Sequence, residues 1–407
     1  MIVVGINGSF LRKSATGIGQ VSWHFIKTLI QERKSLFDRL SDFQFIVYLE
    51  ENVPKELLMD VDELPKNIKF KVVSQRFYKR DDLVRKVFWE RFWLPRQVKK
   101  DGCQKFFSLY QSATVLPRNI KHLMLVHDVV PKVFPEYLNN WRKKIYYKLV
   151  DRAVGKAGKI LTVSKFSRKE IARFYNVDLN QIEVNYDACD PIFKKELSEE
   201  KRKIVLKKYG LDLGEKYIFY FGGFDVRKNV GRVIQAYGQL ISEFKEVDEE
   251  LPNLVLGGQF HKHLVPLVTD IEEEIKQVVS EYEIDEKLFK AIGFVEQEDL
   301  PALYQSADVF TYPSLYEGFG MPVLEAMTSK TPVVTSSTTS IPEVISEEAG
   351  YLVNNPENVE EIKNQLKEAL LDSFEDRQKK INLAFIESEK FSWEKFAENV
   401  LSGVESV

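Results

Sequence analysis

At 407 residues the chain is too long for one hydrophobic core of ordinary size, so two domains of about 200 residues each are expected. A 44% hydrophobic and 29% charged content excludes a disordered or fibrous chain, and a formal net charge of -3 excludes bulk attraction to nucleic acid. Two cysteines, Cys103 and Cys189, point to a reduced, cytosolic setting rather than a disulfide framework. The start, Met1-Ile2-Val3-Val4-Gly5-Ile6, is apolar and lacks the basic region and cleavage site of a signal peptide. Apolar runs such as Tyr217 to Phe224 are less than half a spanning helix. A cytoplasmic protein is expected, with membrane contact open only at its surface.

Short apolar runs alternate with amphipathic segments, the pattern of βαβ units around a parallel sheet. Strands are predicted near 2–7, 44–49, 68–73, 105–109, 122–126, 159–163 and 182–186, with helices at 18–32, 81–94, 140–157 and 165–175. A polar stretch at 188–200 reads as a linker. The alternation then restarts, with strands at 217–221, 253–257, 288–292, 308–311, 332–335 and 351–353. Helices fit 229–244, 264–282, 298–305, 321–329 and 358–371, and only helical pattern remains after 373. The expected architecture is α/β: two Rossmann-like doubly wound domains, 1–190 and 191–373, and a helical tail over 374–407 that packs back on the first domain. Ligands of open α/β sheets bind at the carboxyl ends of the strands, so two facing sheets would share one cleft.

Residues 76–100 hold nine Lys/Arg against three Asp/Glu, interleaved with Phe77, Tyr78, Phe88, Trp89, Phe92 and Trp93. The last four fall on one side of a helix expected to end near Pro95. Two readings stand: the aromatics pack the helix into the first domain, or they form a basic patch that meets anionic lipid and presents a lipid-linked acceptor.

The segment Tyr312-Pro-Ser-Leu-Tyr-Glu317-Gly318-Phe319-Gly320-Met321-Pro322-Val323-Leu-Glu325 turns from a strand through two glycines into a helix. Pro322 suits the first helical position. Backbone N–H groups there, at the positive end of the dipole, make an anion site fit for a diphosphate. Glu325, one turn further in, suits a ribose diol, and Glu317 in the loop suits a sugar hydroxyl. Isolated glutamates at this spacing are more often solvated surface groups, and the glycine-rich turn between them reverses that reading.

A second strand, Tyr217-Ile-Phe-Tyr-Phe, opens into Gly222-Gly223 and then Arg227-Lys228-Asn229. Asn229 suits a helix N-cap. Two cations at a helix start oppose the dipole and call for an anionic partner. Arg227 can fork onto phosphate oxygens while Lys228 adds a point charge, stabilising a leaving diphosphate without a metal.

With His127-Asp128-Val-Val-Pro131, Val163-Ser164-Lys-Phe-Ser167 and Phe391-Ser-Trp393, these elements resemble, over nearly the whole chain, the family-4 retaining glycosyltransferases of the GT-B fold, and in particular bacterial mannosyltransferases of surface-polysaccharide synthesis. The resemblance implies that Glu325 holds the ribose, Glu317 the transferred sugar, and Arg227 and Lys228 the diphosphate. The amides of Phe319, Gly320 and Met321 would meet sugar and phosphate, with Gly318 and Val323 in the same donor loop. It also places His127 beside the sugar, Asp128 and Ser164 on the acceptor side, and Gly17 and Gly19, in the loop after the first strand, near the leaving phosphate. Gly17-x-Gly19-x-x-Ser22 fails as a dinucleotide fingerprint because the third glycine is missing.

The expected partners are a nucleoside diphosphate-sugar donor, with GDP-mannose indicated, and a glycan or lipid-linked glycan acceptor. UDP-sugars and dTDP-rhamnose fit the same carboxylates, and a sugar phosphorylase or a non-catalytic glycan-binding subunit are the rival classes. Neither cofactor nor metal is expected. Asp60-Val-Asp62 has a metal-pair spacing but follows no apolar strand, and His261-x-His263 lacks a third ligand.

Overall fold

A computed structural model of the protein describes residues 1–13, 16–31, 42–54, 57, 64–73, 81–245, 252–258 and 267–407. The chain divides into two compact units, Met1–Ala188 with Phe391–Val407, and Cys189–Lys390. Asp60, Asp62, Phe77, Tyr78, His261 and His263 lie outside the described residues.

In the first unit, strands β1 (Ile2–Asn7), β2 (Phe43–Leu49), β3 (Ile68–Val72), β4 (Lys105–Ser108), β5 (Lys121–Leu125), β6 (Lys159–Thr162) and β7 (Ile182–Val184) form one parallel sheet in the order β3-β2-β1-β4-β5-β6-β7. Its central strands are apolar almost throughout because both faces are covered: Val4, Ile6, Phe106, Phe107, Leu123 and Leu125 are all buried.

The second unit repeats the design with β8 (Tyr217–Phe221), β9 (Asn253–Gly257), β10 (Phe289–Gly293), β11 (Val309–Tyr312), β12 (Val333–Ser336) and β13 (Tyr351–Val353), in the order β10-β9-β8-β11-β12-β13. Each sheet therefore reverses its winding beside its first strand, between β1 and β4 in one unit and between β8 and β11 in the other. In a doubly wound sheet that reversal opens the crevice where ligands bind.

Five elements differ from expectation. The tail expected over 374–407 is divided. Phe374–Ser388 stays in the second unit, its Arg377 donating to the carbonyls of Ala369 and Leu370 at 2.7 Å. Trp393–Ser406 belongs to the first, where Trp393 stacks on His24 with ring centroids 4.9 Å apart and Asn185 donates to the Phe396 carbonyl. A helix at Glu199–Lys208 follows the polar linker; only Leu206 of it is buried, so it shows no apolar periodicity. The helix expected from 264 starts at Ile271, where Asp270 caps it by accepting from Glu273 N.

The helix from Asp82 does not stop near Pro95. It passes through a wide turn at Trp89–Trp93 and continues to Lys100, with Leu94 N–H bonded to the Trp89 carbonyl five residues back. The wide turn shifts the hydrogen-bond ladder just where proline would break it, and it also splits the aromatic face. Trp89 is fully buried with Tyr48, Leu94 and Phe106, while Phe92 and Trp93 are 44% and 43% exposed.

The helix Gly17–Gln31 begins at the first glycine, so Gly17 and Gly19 lie in its opening turn rather than in a loop. A Cβ on Gly19 would come within 1.9 Å of the Lys13 carbonyl oxygen, whereas one on Gly17 would meet nothing within 4 Å. Gly19→Ala is therefore expected to lower unfolding stability by about 1–3 kcal/mol in denaturant titration. Gly17→Ala should be neutral or slightly stabilising.

Candidate active site

The loops after β8 and β11 leave adjacent strands at the second sheet's reversal, and they carry most of the predicted donor residues. After β8, the chain passes through Gly222 and Gly223 into a short turn, Val226–Lys228, ahead of the helix Val230–Lys245. After β11 it runs to Gly320, which caps the helix Met321–Thr328. Gly320 has φ +118°, and a Cβ there would strike Ile341 at 2.7 Å, so the turn admits glycine alone. Pro322 is the second helical residue, not the first; its missing N–H still falls among those a helix start leaves unbonded.

The two loops are fastened together. Arg227 Nη1 donates to the Tyr316 carbonyl at 2.9 Å and to Glu317 Oε1 at 3.1 Å, and Leu315 N donates to the Arg227 carbonyl at 2.7 Å. Asn229 does not use its side chain as a helix cap: its amide donates to the carbonyls of Pro313 and Pro356, and its oxygen accepts from Arg232. Its φ of +66° turns the backbone to make this bridge.

Glu317 also accepts from Tyr312 Oη at 2.8 Å, and its N–H donates to Thr339 Oγ1. Ser340 Oγ donates to the carbonyls of Glu317 and Phe319, both at 2.9 Å. Lys228 is half-buried, its ammonium 5.8 Å from the Tyr312 ring centroid. Burial lowers its pKa, while the carboxylates of Glu317, Asp225 and Glu325 oppose that shift.

Glu325 is 4% exposed and accepts from Tyr304 Oη at 3.0 Å. Burial pushes its carboxyl up to about 8. Val323 is fully buried and its N–H donates to the Gly320 carbonyl, so it supports the turn from beneath. Arg227, Lys228, Glu317 and Glu325 thus gather around one helix N-terminus. Tyr304, Tyr312, Thr339 and Ser340 escaped sequence reasoning. Tyr312 heads the informative segment, but Tyr304 and Ser340 reach the site only through the crossing of elements.

The predicted first-unit residues are committed to local structure. His127 follows β5 and is buried; Nε2 donates to the Leu109 carbonyl at 3.1 Å, and Nδ1 lies 4.0 Å from Asp187 Oδ2. Burial lowers the His127 pKa and pushes the Asp187 carboxyl up to about 8. Asp128 Oδ1 accepts from Val130 N, and Ser164 caps the helix Lys165–Tyr175 by accepting from Ser167 N. Neither Cys103 nor Cys189 is in a disulfide, and among the described residues no group of three or more His, Cys, Asp or Glu side chains is placed to hold a metal ion.

The sequence pattern described as Glycosyl transferases group 1 matches residues 201–385, the stretch that carries the two fastened loops. The chain is 34% identical over 282 residues to the O-antigen chain mannosyltransferase B of Escherichia coli, covering 69% of each protein. The chain belongs to the group 1 glycosyltransferases. It is also 28% identical over 287 residues to the serotype-specific mannosyltransferase WbdA of Escherichia coli, a match over 70% of this chain that spans only 33% of that relative. Among solved structures, WaaG, a glycosyltransferase involved in lipopolysaccharide biosynthesis, superimposes with a TM-score of 0.69 at 17% identity, covering 99% of both chains. This group 1 glycosyltransferase has the GT-B fold, with its Arg227–Glu317 pair inside the matched domain.

Proposed function

We propose that the protein moves mannose from GDP-mannose to a glycan or lipid-linked glycan acceptor in surface-polysaccharide synthesis, with retention of configuration and without a metal. The carrying observation is the convergence of two cations and two carboxylates on the reversal point of one sheet. Arg227, Lys228 and the start of the helix Met321–Thr328 take the diphosphate, and Glu325 takes the ribose diol. Glu317, with the amides of Phe319, Gly320 and Met321, takes the sugar. The names of the two mannosyltransferase relatives support the choice of sugar.

In this reading the acceptor oxygen bonds to the anomeric carbon on the face from which the diphosphate departs, and a leaving phosphate oxygen receives the acceptor's proton. The charge on the diphosphate falls on Arg227 and Lys228, the role a divalent ion would otherwise fill. With GDP-mannose, NMR of the product should show the donor's α configuration, and activity should survive a chelator. A β product, or activity abolished by chelation and restored by a divalent ion, contradicts it.

Contact with the cytoplasmic face of a membrane is part of the proposal. No described helix is long and apolar enough to cross a membrane. The helix Trp141–Val154, however, exposes Trp141 (69%) and Ile145 (50%) with Lys144, Lys148 and Arg152 on one face, at spacings of three and four residues. It is tied to the helix from Asp82, the one that exposes Phe92 and Trp93, by Arg142 on Asp81 and Tyr146 on Glu90. A cationic stripe with apolar side chains suits the interface of an anionic bilayer. The protein should float with phosphatidylglycerol vesicles and not with neutral ones, and a K144E/K148E variant should bind about tenfold less or weaker. Flotation unaltered by the two reversals removes the membrane contact.

A further inference from the structure

Among the described residues, five that are not glycine hold a left-handed backbone: Asn176, Asn229, Glu283, Lys330 and Thr339. Asn176, Glu283 and Lys330 follow helices, where a left-handed residue closes the last turn. Asn229 makes the bridge described above. Thr339 ends no helix, and it is the one of the five whose side chain branches at Cβ. At φ +58° a branched side chain is crowded by its own backbone, whereas glycine sits there freely.

The loop after β12 is pinned on both sides of this residue. Ser337 N donates to the Val353 carbonyl on β13 at 2.9 Å, and Ile341 N donates to the Thr338 carbonyl at 3.2 Å. Ile341 is fully buried, and its Cδ1 is the atom that a Cβ on Gly320 would strike at 2.7 Å. Backbone strain persists only where the surroundings over-determine it, and it gathers where a ligand is clamped.

What the strained turn achieves is a two-point hold on one peptide of the donor loop. Thr339 Oγ1 accepts from Glu317 N at 3.3 Å. Ser340 Oγ donates to the Glu317 carbonyl at 2.9 Å and to the Phe319 carbonyl at 2.9 Å. Adjacent side chains of an extended chain point to opposite sides. The left-handed turn at Thr339 lets both neighbours face Glu317. Glycine would take this backbone without strain, but it has no hydroxyl to accept the Glu317 N–H.

We propose that Thr339 is a positioning residue: its hydroxyl fixes the Glu317 peptide so that the carboxylate meets the transferred sugar, and its strained backbone is what aims that hydroxyl. The role rests on the reading of Glu317 as the sugar's partner. It deepens that reading by naming the residue that orients Glu317. Because the bond from Thr339 goes to Glu317, its loss bears on the sugar and leaves the nucleotide's own contacts in place.

Three variants of the full chain separate the hydroxyl from the strain. Thr339→Val keeps the branch and removes the hydroxyl, Thr339→Gly removes both, and Thr339→Ser keeps the hydroxyl. Calorimetry with GDP and GDP-mannose, and with UDP and UDP-glucose, gives for each protein the ratio of nucleotide-sugar affinity to nucleotide affinity. For the pair that the wild type binds, that ratio should fall about tenfold in the valine and glycine variants and stay within about twofold in the serine variant. Affinity for the nucleotide alone should stay within about twofold throughout. Stability should follow the other property: Thr339→Gly should melt about 2–4 °C above Thr339→Val. A ratio unmoved by the loss of the hydroxyl, a ratio that glycine restores, or a glycine variant that melts no higher than the valine one overturns the proposal. A wild type that binds neither GDP nor UDP overturns the donor reading and this role with it, whereas nucleotide binding with an unmoved ratio overturns the role alone.

Discussion

Glu325→Gln is expected to make the protein more stable and its donor site weaker. The carboxyl is 4% exposed, its described hydrogen bond comes from Tyr304, and burial raises its pKa from 4.5 to about 8. An acid whose folded pKa is raised costs the native state nothing below its unfolded pKa. The cost grows as pH climbs from 4.5 towards 8, because the unfolded chain ionises freely and the folded one does not. At pH 7 this amounts to about 3 kcal/mol, which glutamine, of the same shape and uncharged, should recover. Denaturant titrations should show higher stability for the variant at pH 7 and a flatter stability profile between pH 4.5 and 8.

The donor side of the same prediction has the opposite sign. A ribose diol donates two O–H groups, which a carboxylate accepts better than a carboxylic acid does. Binding should therefore release a proton from Glu325. Nucleotide affinity should rise by up to about tenfold per pH unit below pH 8, and glutamine should abolish that slope. Calorimetry in buffers of different ionisation enthalpy reads the proton directly. A wild-type affinity flat between pH 6 and 8 rejects this role for Glu325.

Arg227→Met should lower turnover by about 10²–10³-fold, the cost of losing one preorganised donor to the developing charge of a leaving group. Arg227→Lys should recover only part of it, since an ammonium cannot fork between Glu317 and a phosphate. The Arg227–Glu317 pair is half-buried, with both side chains below 20% exposed, so the methionine variant also strands a carboxylate. Adding Glu317→Gln separates the two effects. Stability should return towards wild type in the double variant, and turnover should not. Recovery of turnover in the double variant would show that Arg227 serves only to neutralise Glu317.

Much of this fold is legible in the sequence because buried parallel strands are short, apolar and bounded by turns. Each predicted strand falls within a residue or two of an observed one. What escaped the sequence did so for physical reasons. Glu199–Lys208 buries a single side chain, so no periodicity marks it. Pro95 is absorbed by a wide turn whose five-residue hydrogen bond no local pattern announces. That turn also buries Trp89 while leaving Phe92 and Trp93 in solvent, although all three lie within five residues.

The candidate site divides in the same way. Glu317, Glu325, Arg227 and Lys228 are legible because glycine-rich strand-to-helix turns flank them. Tyr304, which bonds Glu325, is not, because it reaches the carboxyl from a separate helix. Thr339 is hidden too. Its left-handed backbone is set by Ser337 on β13 and by Ile341 against Gly320, contacts with residues well away from it in the sequence.

Titration calorimetry of GDP and UDP into the wild type and Lys228→Met tests most directly whether these four side chains hold an activated sugar. At least one nucleotide should saturate a single site on the wild type and bind about tenfold weaker or less to the variant. Binding of neither nucleotide, or an affinity that Lys228→Met leaves unchanged, would contradict it.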